Sequence, residues 1–303
     1  FRANILCNEL GLDPTSLGFT LSMAMECVER GLLQEHPSAP IRFGDPEGVL
    51  RLVRMIARRQ GVGDLLAEGS KRAAAVIGGG AGRLAMEVKG LELAVFEPRT
   101  QTNLALGYAT APIGPRFDIC EHDWDYDLHV GWPHTLDGSR TLGILERVPM
   151  QEVSRRKVRN YRLLNTVWSG CDALDLNIYA AAPTRALRME EMAELLGAVT
   201  GWDASSWELM QLGERRNQLM RVYNLREGLG AADDTLPDRF FDEPIRQGTW
   251  TGQRIDRSSF AGAIATYYRM MGWDELGRPS RDCLIESDLE WVAEEGHYQP
   301  PAA

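Results

Sequence analysis

The chain has 303 residues, of which 44% are hydrophobic and 25% charged, with a formal net charge of −10. This acidic balance argues against nucleic acid as a partner, because phosphate binding needs a basic surface. No apolar run approaches the roughly 18 residues that span a bilayer, so no membrane partner is expected. The five cysteines include no C-x-x-C pair. Such a sparse, odd set predicts reduced thiols and a cytoplasmic location.

The first third of the chain predicts helices and one short strand. Apolar residues at helical spacing predict a helix over 15–33. Asp45 and Pro46 form a helix start signal, and that helix is expected to end at Gly61. Asp64 is expected to cap a further helix that reaches Ile77. Alternating apolar residues over 84–88 predict a single strand.

The rest of the chain continues the helical pattern. Helices are predicted over 149–167, 188–199 and 205–227, with one more capped by Asp256. The residues from about 283 are expected to form a surface tail. The predicted fold class is therefore all-α and multihelical. We expect two domains, 1–103 and 104–303, with a hinge near Glu97-Pro98-Arg99.

An irregular segment, 107–134, interrupts the helices. It is rich in glycine and proline and carries three of the five histidines. A long irregular segment within a compact domain is usually functional or disordered, and its aromatic residues argue against disorder. His122 is a candidate general acid/base or metal ligand, or else a hydrogen-bonded structural histidine. Arg116 is a candidate for holding an anionic or carbonyl oxygen, or else forms an ordinary ion pair.

Two six-residue stretches share a pattern. They are Asn8-Glu9-Leu10-Gly11-Leu12-Asp13 and Asp172-Ala173-Leu174-Asp175-Leu176-Asn177. Each begins and ends with an acid or amide and has leucine at its third and fifth positions. In extended backbone the leucines would anchor the loop and leave the end groups to a ligand rich in N–H donors. The alternative is a pair of ordinary turns whose polar residues cap helices.

Several stretches together resemble the tungsten-dependent aldehyde ferredoxin oxidoreductases. They follow one another in order over about 1–281: CNELGLD (7–13), AMECVERGLL (24–33), GVGDLLAEGSKRAA (61–74), VKGLELAVFEPR (88–99), LGYATAP (106–112), AELLGAVTGWD (193–203), VYNLREG (222–228), DDTLPDRF (233–240) and YYRMMGWDELGRP (267–279). A single stretch of this kind would be weak support, whereas nine in order are strong support for family membership.

The resemblance implies a function. Members of that family carry a tungsten, sometimes molybdenum, bis-pterin cofactor between an N-terminal β domain and two helical domains, and this chain resembles the two helical domains. The first residue is Phe1, so we expect the chain to begin within a longer protein or after processing. The implied reaction is oxidation of an aldehyde to a carboxylic acid, with a ferredoxin-like protein as the electron acceptor and the cofactor supplying the redox chemistry.

The resemblance also implies which residues bind the pterins, through loops of pattern D-x-x-G-L-[C/D]. Asn8, Gly11, Leu12 and Asp13 match the first loop, with Asn8 in place of Asp. The second loop corresponds to Asp172, Asp175, Leu176 and Asn177. Asp175 replaces the glycine, and Asn177 replaces the cysteine that binds a 4Fe–4S cluster. The other cluster cysteines would lie upstream of Phe1, so we expect no such cluster in this chain.

The family's active-site segment follows G-Y-A-T and carries a histidine near the metal. Phe117 falls near that position, and His122 is the candidate substitute. We also expect the two loops to line one cavity, with Asp13 and Asn177 facing it. The rival interpretation is a cofactor-free helical scaffold or partner subunit descended from the family, which the replacement at Asn177 favours.

Overall fold

The fold is all-α, as the sequence predicts. The computed structural model describes residues 1–34, 40–116, 122–181 and 185–301. Helix accounts for 56% of the structure and strand for 3%. Among the described residues, no helix combines the length and apolar composition that a membrane span requires.

The described residues form fourteen α-helices and one two-stranded hairpin. The helices are α1 Arg2–Leu10, α2 Pro14–Glu29, α3 Pro46–Ala57, α4 Val62–Leu66, α5 Ser70–Ile77, α6 Thr102–Thr110, α7 Thr135–Ser139, α8 Arg155–Ala173, α9 Met189–Thr200, α10 Ser206–Arg226, α11 Arg239–Asp242, α12 Arg257–Met270, α13 Arg281–Glu286 and α14 Trp291–Glu294. The strands are β1 Glu87–Val88 and β2 Leu91–Glu92, paired antiparallel.

The chain divides into two compact units. Unit 1 comprises 1–96, 113–115 and 236–242, and unit 2 comprises 97–112, 116–235 and 243–303. Each unit is described by itself below. The domain boundary expected at residue 103 stays a prediction, because compactness does not show that either part folds alone.

Unit 1 is a small helical body whose core is built by α1 to α5. Asp45 caps α3 as predicted, with its Oδ1 accepting a hydrogen bond from the Gly48 N–H at 2.8 Å. The single helix predicted from Asp64 to Ile77 is wrong. The chain breaks at Gly69, whose φ is +82°, and the Ser70 N–H donates to Glu92 Oε1 at 2.6 Å. A glutamate 22 residues downstream thus starts α5 as a separate helix.

The single predicted strand is also wrong, because it is the first arm of a hairpin. Glu87 lies opposite Glu92 and Val88 opposite Leu91. Gly90 has a φ of +90°, and its N–H donates to Glu87 Oε2 at 2.7 Å, which closes the turn. The sequence pattern of β2 is too short to show alternation, so only its pairing with β1 identifies it as a strand.

The segment 236–242 belongs to unit 1 although it lies far along the chain. Arg239 donates to both carboxylate oxygens of Glu26, at 2.7 and 2.8 Å. Arg83 pairs with Asp242 at 3.0 Å. These ion pairs hold α11 against unit 1.

Unit 2 is organised around α8 and α10. A Cβ at Gly213 would overlap the carbonyl oxygen of Thr166, and a Cβ at Gly170 would lie 3.0 Å from the Leu209 carbonyl oxygen. The two helices therefore cross with their backbones in direct contact, which only glycine allows. The helix predicted over 149–167 instead runs from Arg155 to Ala173, because Ser154 caps it through the Lys157 N–H at 3.2 Å. Its C-terminal end carries Asp172.

The expected surface tail from 283 is wrong. Leu284 and Leu289 are fully buried, and together with Val222 they form a separate core of unit 2. The Tyr298 hydroxyl donates to the Pro279 carbonyl at 3.0 Å. Short helices with few apolar residues hide this core in the sequence.

Candidate functional site

The first turn segment, Cys7–Asp13, joins α1 to α2. Gly11 adopts the left-handed conformation with φ +70°, and the Leu12 N–H returns to the Cys7 carbonyl at 2.9 Å. This closes the end of α1 in the manner of a Schellman turn. Asp13 then caps α2, with its Oδ1 accepting from the Thr15 N–H at 2.8 Å. Asn8, Gly11 and Asp13 are exposed.

The second turn segment, Cys171–Asn177, repeats this geometry at the end of α8. Asp175 adopts the left-handed conformation with φ +54°, and the Leu176 N–H returns to the Cys171 carbonyl at 2.9 Å. Asn177 Oδ1 accepts from the Tyr179 N–H at 2.8 Å. Leu176 packs against the unit 2 core. The repeat is therefore a repeat of backbone structure as well as of residue type.

The extended backbone expected for both segments is wrong. Each segment begins inside a helix, and each final side chain accepts a backbone N–H. The alternative of helix-capping turns is confirmed for Asp13. The shared pattern also starts one residue earlier than expected. Cys7 and Cys171 are both buried and both supply the carbonyl that closes the turn.

Asp172 lies between two arginines of unit 2. Arg216 donates to its Oδ2, and the Arg116 guanidinium lies 3.6 Å from its Oδ1. Arg216 also donates to the Ser169 hydroxyl at 3.2 Å. The structure thus brings together two predicted site residues, Arg116 and Asp172. No local motif marks Arg216, because it lies 44 residues downstream and is positioned by the crossing of α8 and α10.

His122 is buried and neutral at physiological pH. Only 7% of it is exposed, and its ring stacks on Trp124 with the centroids 4.5 Å apart and the planes 8° from parallel. Burial, together with the nearby Arg185 charge, lowers its pKa from 6.5 to about 4. A base with this pKa accepts protons weakly at pH 7, so the environment favours a neutral ring. Its catalytic role stays a prediction.

The segment around His122 is held by buried ionic contacts. Asp123 pairs with Lys157 at 2.6 Å, and both side chains are almost fully buried. The other Asp123 oxygen accepts from the Asn103 N–H at 2.8 Å, at the start of α6. Arg147 donates to the carbonyl oxygens of Asp125, at 3.0 Å, and Asp127, at 3.2 Å. The described part of the segment from residue 122 onward is therefore held within unit 2 at several points.

An open cleft lies beside this segment in unit 2. Its volume is about 790 Å³. We call it the aromatic cleft and define it by Trp124, Trp132, His134, Tyr179, Arg185 and Arg188. Tyr179 connects it to the second turn segment, because Asn177 accepts the Tyr179 N–H. The aromatic residues of 107–134 stand out in the sequence, whereas no local pattern marks Tyr179, Arg185 or Arg188.

The thiols of both turn segments face the protein interior. Burial raises the pKa of Cys7, and the nearby Asp13 charge raises it further. The Cys171 Sγ lies 3.7 Å from the Met192 Sδ in the unit 2 core. Within the described ranges, no group of three or more His, Cys, Asp or Glu residues has the arrangement of a metal site. Phe117 and Cys120 lie outside the described residues.

Comparison with known proteins gives the family. Residues 1–289 match the family model described as "Aldehyde ferredoxin oxidoreductase, domains 2 & 3". The chain therefore belongs to the aldehyde ferredoxin oxidoreductase family. The resemblance recognised from the motifs is confirmed.

The relatives include tungsten-containing enzymes. The chain is 34% identical over 292 residues to the tungsten-containing aldehyde ferredoxin oxidoreductase of Pyrococcus furiosus, covering 94% of this chain and 44% of that protein. It is 25% identical to the "Aliphatic sulfonate oxidoreductase, WOR-like subunit" of the same organism, covering 93% of this chain and 41% of that protein. The chain thus spans less than half the length of these relatives.

A solved structure shares the fold. The active site complex BamBC of benzoyl coenzyme A reductase matches with a TM-score of 0.69 at 21% identity. The match covers 94% of this chain and 45% of that chain. At this identity the comparison supports the fold alone.

Proposed function

We propose that this chain is the helical, cofactor-covering part of a tungsten or molybdenum bis-pterin oxidoreductase that oxidises an aldehyde to a carboxylic acid. The observation that carries the proposal is the pair of turn segments, which have matching hydrogen bonds at Leu12 and Leu176 and end in side chains, Asp13 and Asn177, that each accept a nearby backbone N–H. Each segment coincides with a stretch that resembles a pterin-binding loop of the family.

The residues of the first turn segment fit a ligand with N–H donors. Asn8 and Asp13 are exposed, and a Cβ added at Gly11 would meet no atom within 4 Å. The Thr15 N–H uses Asp13 Oδ1, and a carboxylate has about four acceptor sites on its two oxygens. Asn8, Gly11, Leu12 and Asp13 would therefore hold one pterin edge.

In the second turn segment, a pterin would compete with two arginines for the carboxylate of Asp172. Asp172 would accept from a pterin while already engaged by Arg116 and Arg216. Asp175, Leu176 and Asn177 would form the rest of the binding loop. The bound group would supply two-electron redox chemistry, and the chain's own residues would bind and orient it. A ferredoxin-like protein would receive the electrons, and His122 and Arg116 would assist at the substrate.

The competing proposal is a cofactor-free scaffold or partner subunit. Asn177 in place of a thiolate ligand favours it, as does the engagement of Asp172 by two arginines. A relative named as a subunit, the sulfonate oxidoreductase protein, is consistent with it. Under this proposal the turn segments serve only to end helices.

Metal and pterin analysis of the full-length protein separates the two proposals. The enzyme proposal expects stoichiometric tungsten or molybdenum together with a fluorescent pterin oxidation product. Asp13→Ala should lower bound metal by on the order of tenfold, the usual effect of losing a hydrogen bond to a charged group. Asp45→Ala is the matched control, since Asp45 caps α3 in the same unit by the same type of bond.

The outcomes are distinct. Equal loss of metal in both variants would mean that capping, and not binding, explains the effect. A wild-type protein without tungsten, molybdenum or pterin would refute the enzyme proposal and leave the scaffold. Aldehyde-dependent reduction of a viologen dye by the metal-loaded protein would support the proposed reaction.

A further inference from the structure

We propose that a second cavity of unit 2 binds primary amines that carry an aromatic ring. We call it the methionine cavity and define it by Trp207, Met210, Glu214, Met270, Met271 and Glu286. Neither turn segment lines it, so the proposal does not depend on the bis-pterin proposal. It rests on the charge of the cavity, the kind of side chains that line it and the contacts that fix its walls.

The first argument is the charge of the cavity. Among the described residues, the charged side chains that line it are Arg162, Glu214 and Glu286. Glu214 balances Arg162, because its Oε2 lies 3.0 Å from the guanidinium. Glu286 is exposed, and in the part of the chain that the structure describes it has no ion-pair partner. Arg215 of α10 is engaged by Asp288 at 2.6 Å. The cavity therefore has one carboxylate available to a bound cation.

The second argument is the combination of an exposed ring with methionine side chains. Trp207 is 67% exposed at the start of α10. The face of a tryptophan ring attracts cations and stacks on other rings. Thioether sulfur makes favourable contacts with aromatic groups, and the unbranched methionine side chain adapts to the shape of a ligand. The volume of about 350 Å³ falls within the roughly 300–1,000 Å³ range of small-molecule pockets.

The third argument is that the walls of the cavity are fixed to one another. Gln218 of α10 donates to the Met271 carbonyl at 2.9 Å and accepts from the Trp273 indole N–H at 2.6 Å. Gly272 has a φ of +70°, and a Cβ there would lie 2.7 Å from the Cys283 Cβ, so the end of α12 closely contacts α13. Little ordering of these walls is required when a ligand binds, which favours affinity.

The ligand must combine a cation with a ring. A neutral aromatic molecule would contact Trp207 and the methionines without using Glu286, and a small aliphatic amine would use Glu286 without the ring contacts. An aromatic carboxylate would bring a second negative charge beside Glu286. The net charge of −10 acts in the same direction, since it attracts cations to the protein. An arylalkylamine uses both features of the cavity at once.

The test is calorimetric titration of the full-length protein with tryptamine at pH 7. Two comparison ligands divide the chemistry, since tryptophol replaces the ammonium group with a hydroxyl and indole-3-propionate replaces it with a carboxylate. We expect tryptamine to bind about three- to tenfold more tightly than tryptophol, the usual effect of a charge-assisted hydrogen bond at an exposed carboxylate. Indole-3-propionate should bind more weakly than tryptophol.

The variants locate the site. Glu286→Gln should weaken tryptamine binding about three- to fivefold and leave tryptophol binding unchanged. Trp207→Leu should weaken the binding of both ligands about three- to fivefold. Glu294→Gln and Trp202→Leu are matched controls, because both residues are exposed in unit 2 outside the cavity. All four positions are on the surface, so the variants should fold, which circular dichroism checks.

The thiol of Cys283 gives an independent readout, because Cys283 also lines the cavity. Burial raises the pKa of this thiol, so its alkylation by iodoacetamide should be slow. Bound tryptamine should slow it further, which mass spectrometry of the peptide that contains Cys283 measures. Tryptamine that binds without slowing this alkylation would occupy another site and overturn the proposal.

Three calorimetric results would also overturn it. They are no binding of tryptamine at millimolar concentration, binding of tryptophol or indole-3-propionate as tight as that of tryptamine, and equal weakening by the control substitutions.

Discussion

The two turn segments have the same backbone and different surroundings. Both close a helix through a left-handed residue and a leucine N–H, with bonds of 2.9 Å in each case. In unit 1 the left-handed residue is Gly11 and the polar ends are exposed. In unit 2 that residue is Asp175, and Asp172 is engaged by two arginines. The hydrogen-bonding needs of a helix end explain the shared backbone of the two segments. The helices packed nearby explain their different side-chain contacts.

This difference indicates that the surroundings of a turn segment, and not its backbone, determine what the segment can bind. A Schellman turn with a following cap is common and binds nothing by itself. In unit 1 the side chains of Asn8 and Asp13 are exposed, although Asp13 also caps α2, whereas in unit 2 Asp172 contacts Arg216 of α10 and Arg116. A cofactor would therefore meet an open segment in unit 1 and an arginine-bound one in unit 2. Substitutions and pH changes can show whether the two units also differ in stability and in proton binding.

The largest expected effect is at the crossing that delivers Arg216. Gly213→Ala places a methyl group against the Thr166 carbonyl. Overpacking of this kind costs about 1–3 kcal/mol and sometimes more, so unit 2 should be destabilised by about 3 kcal/mol. Urea denaturation followed by hydrogen exchange of unit 2 peptides measures it. Gly262→Ala is the control, because a Cβ at that helical glycine in α12 meets no atom within 4 Å.

If Gly213→Ala left the stability of unit 2 unchanged, α8 and α10 would not be in backbone contact. The position of Arg216 beside Asp172 would then need another explanation. The exchange of unit 1 peptides is expected to stay unchanged in this variant.

Acid should destabilise unit 2 before unit 1. The pKa of His122 is about 4 when folded and 6.5 when unfolded, so its stabilising contribution is complete above pH 6.5 and lost as pH falls towards 4. From pH 7 to 5 the loss is about 2 kcal/mol. Hydrogen exchange at pH 7 and 5, corrected for intrinsic rates, should show faster opening of the unit 2 peptides around His122.

Unit 1 should respond at lower pH through Glu92. Burial alone would raise the pKa of Glu92, but hydrogen bonds from Ser16 and Ser70 lower it below 4.5. Its contribution is present above pH 4.5 and is lost as pH falls through the lowered value.

His122→Gln should abolish the response of unit 2 between pH 7 and 5, whereas His129→Gln, at an exposed position in the same segment, should not. If His129→Gln abolished the response and His122→Gln did not, the group that binds the proton would not be His122.

Much of the fold was predictable because helix signals are local. The spacing of apolar residues gives α9 and α10 nearly correct bounds, and Asp45 and Asp256 cap α3 and α12 as predicted, although α3 ends at Ala57 and not at Gly61. The errors arise where a distant residue decides the structure. Glu92 divides the helix predicted from Asp64, and β1 is recognised as a hairpin arm only by its pairing with β2. The core at Leu284 depends on α10 and is invisible in the short helices around it.

The position of the two turn segments was predictable from the sequence, but their geometry was not. The spacing of leucines and polar ends located both turn segments, yet Asn8 and Asp172 lie in helices and not in extended loops. The contact between Arg116 and Asp172 and the role of Arg216 required the packed structure. The expectation that Asp13 and Asn177 line one cavity stays a prediction.

Asp13→Ala and Asn177→Ala should lower the free energy of unfolding by different amounts. Asp13 caps the 16-residue helix α2, so Asp13→Ala should cost about 1 kcal/mol of stability. Asn177 holds only the Tyr179 N–H of a short turn, so Asn177→Ala should cost a few tenths of a kcal/mol, within the range of surface changes. Chemical denaturation of both variants measures the difference. Equal costs would mean that the second segment also starts a stable element.

A small effect of the opposite sign is expected at the left-handed position of the second turn segment. Asp175 holds φ +54°, a conformation that glycine adopts without strain and most other residues do not. Asp175→Gly should therefore stabilise unit 2 by about 0.5 kcal/mol, less than the strain relieved, because glycine also loses more entropy on folding. Gly11→Ala is the matched reversal and should destabilise unit 1 by about 1–2 kcal/mol, entirely through backbone strain, since no atom lies within 4 Å of the added Cβ. If Asp175→Gly destabilised unit 2, the carboxylate of Asp175 would be making a contact worth more than the strain. The second segment would then differ from the first in its bonding as well as in its charge.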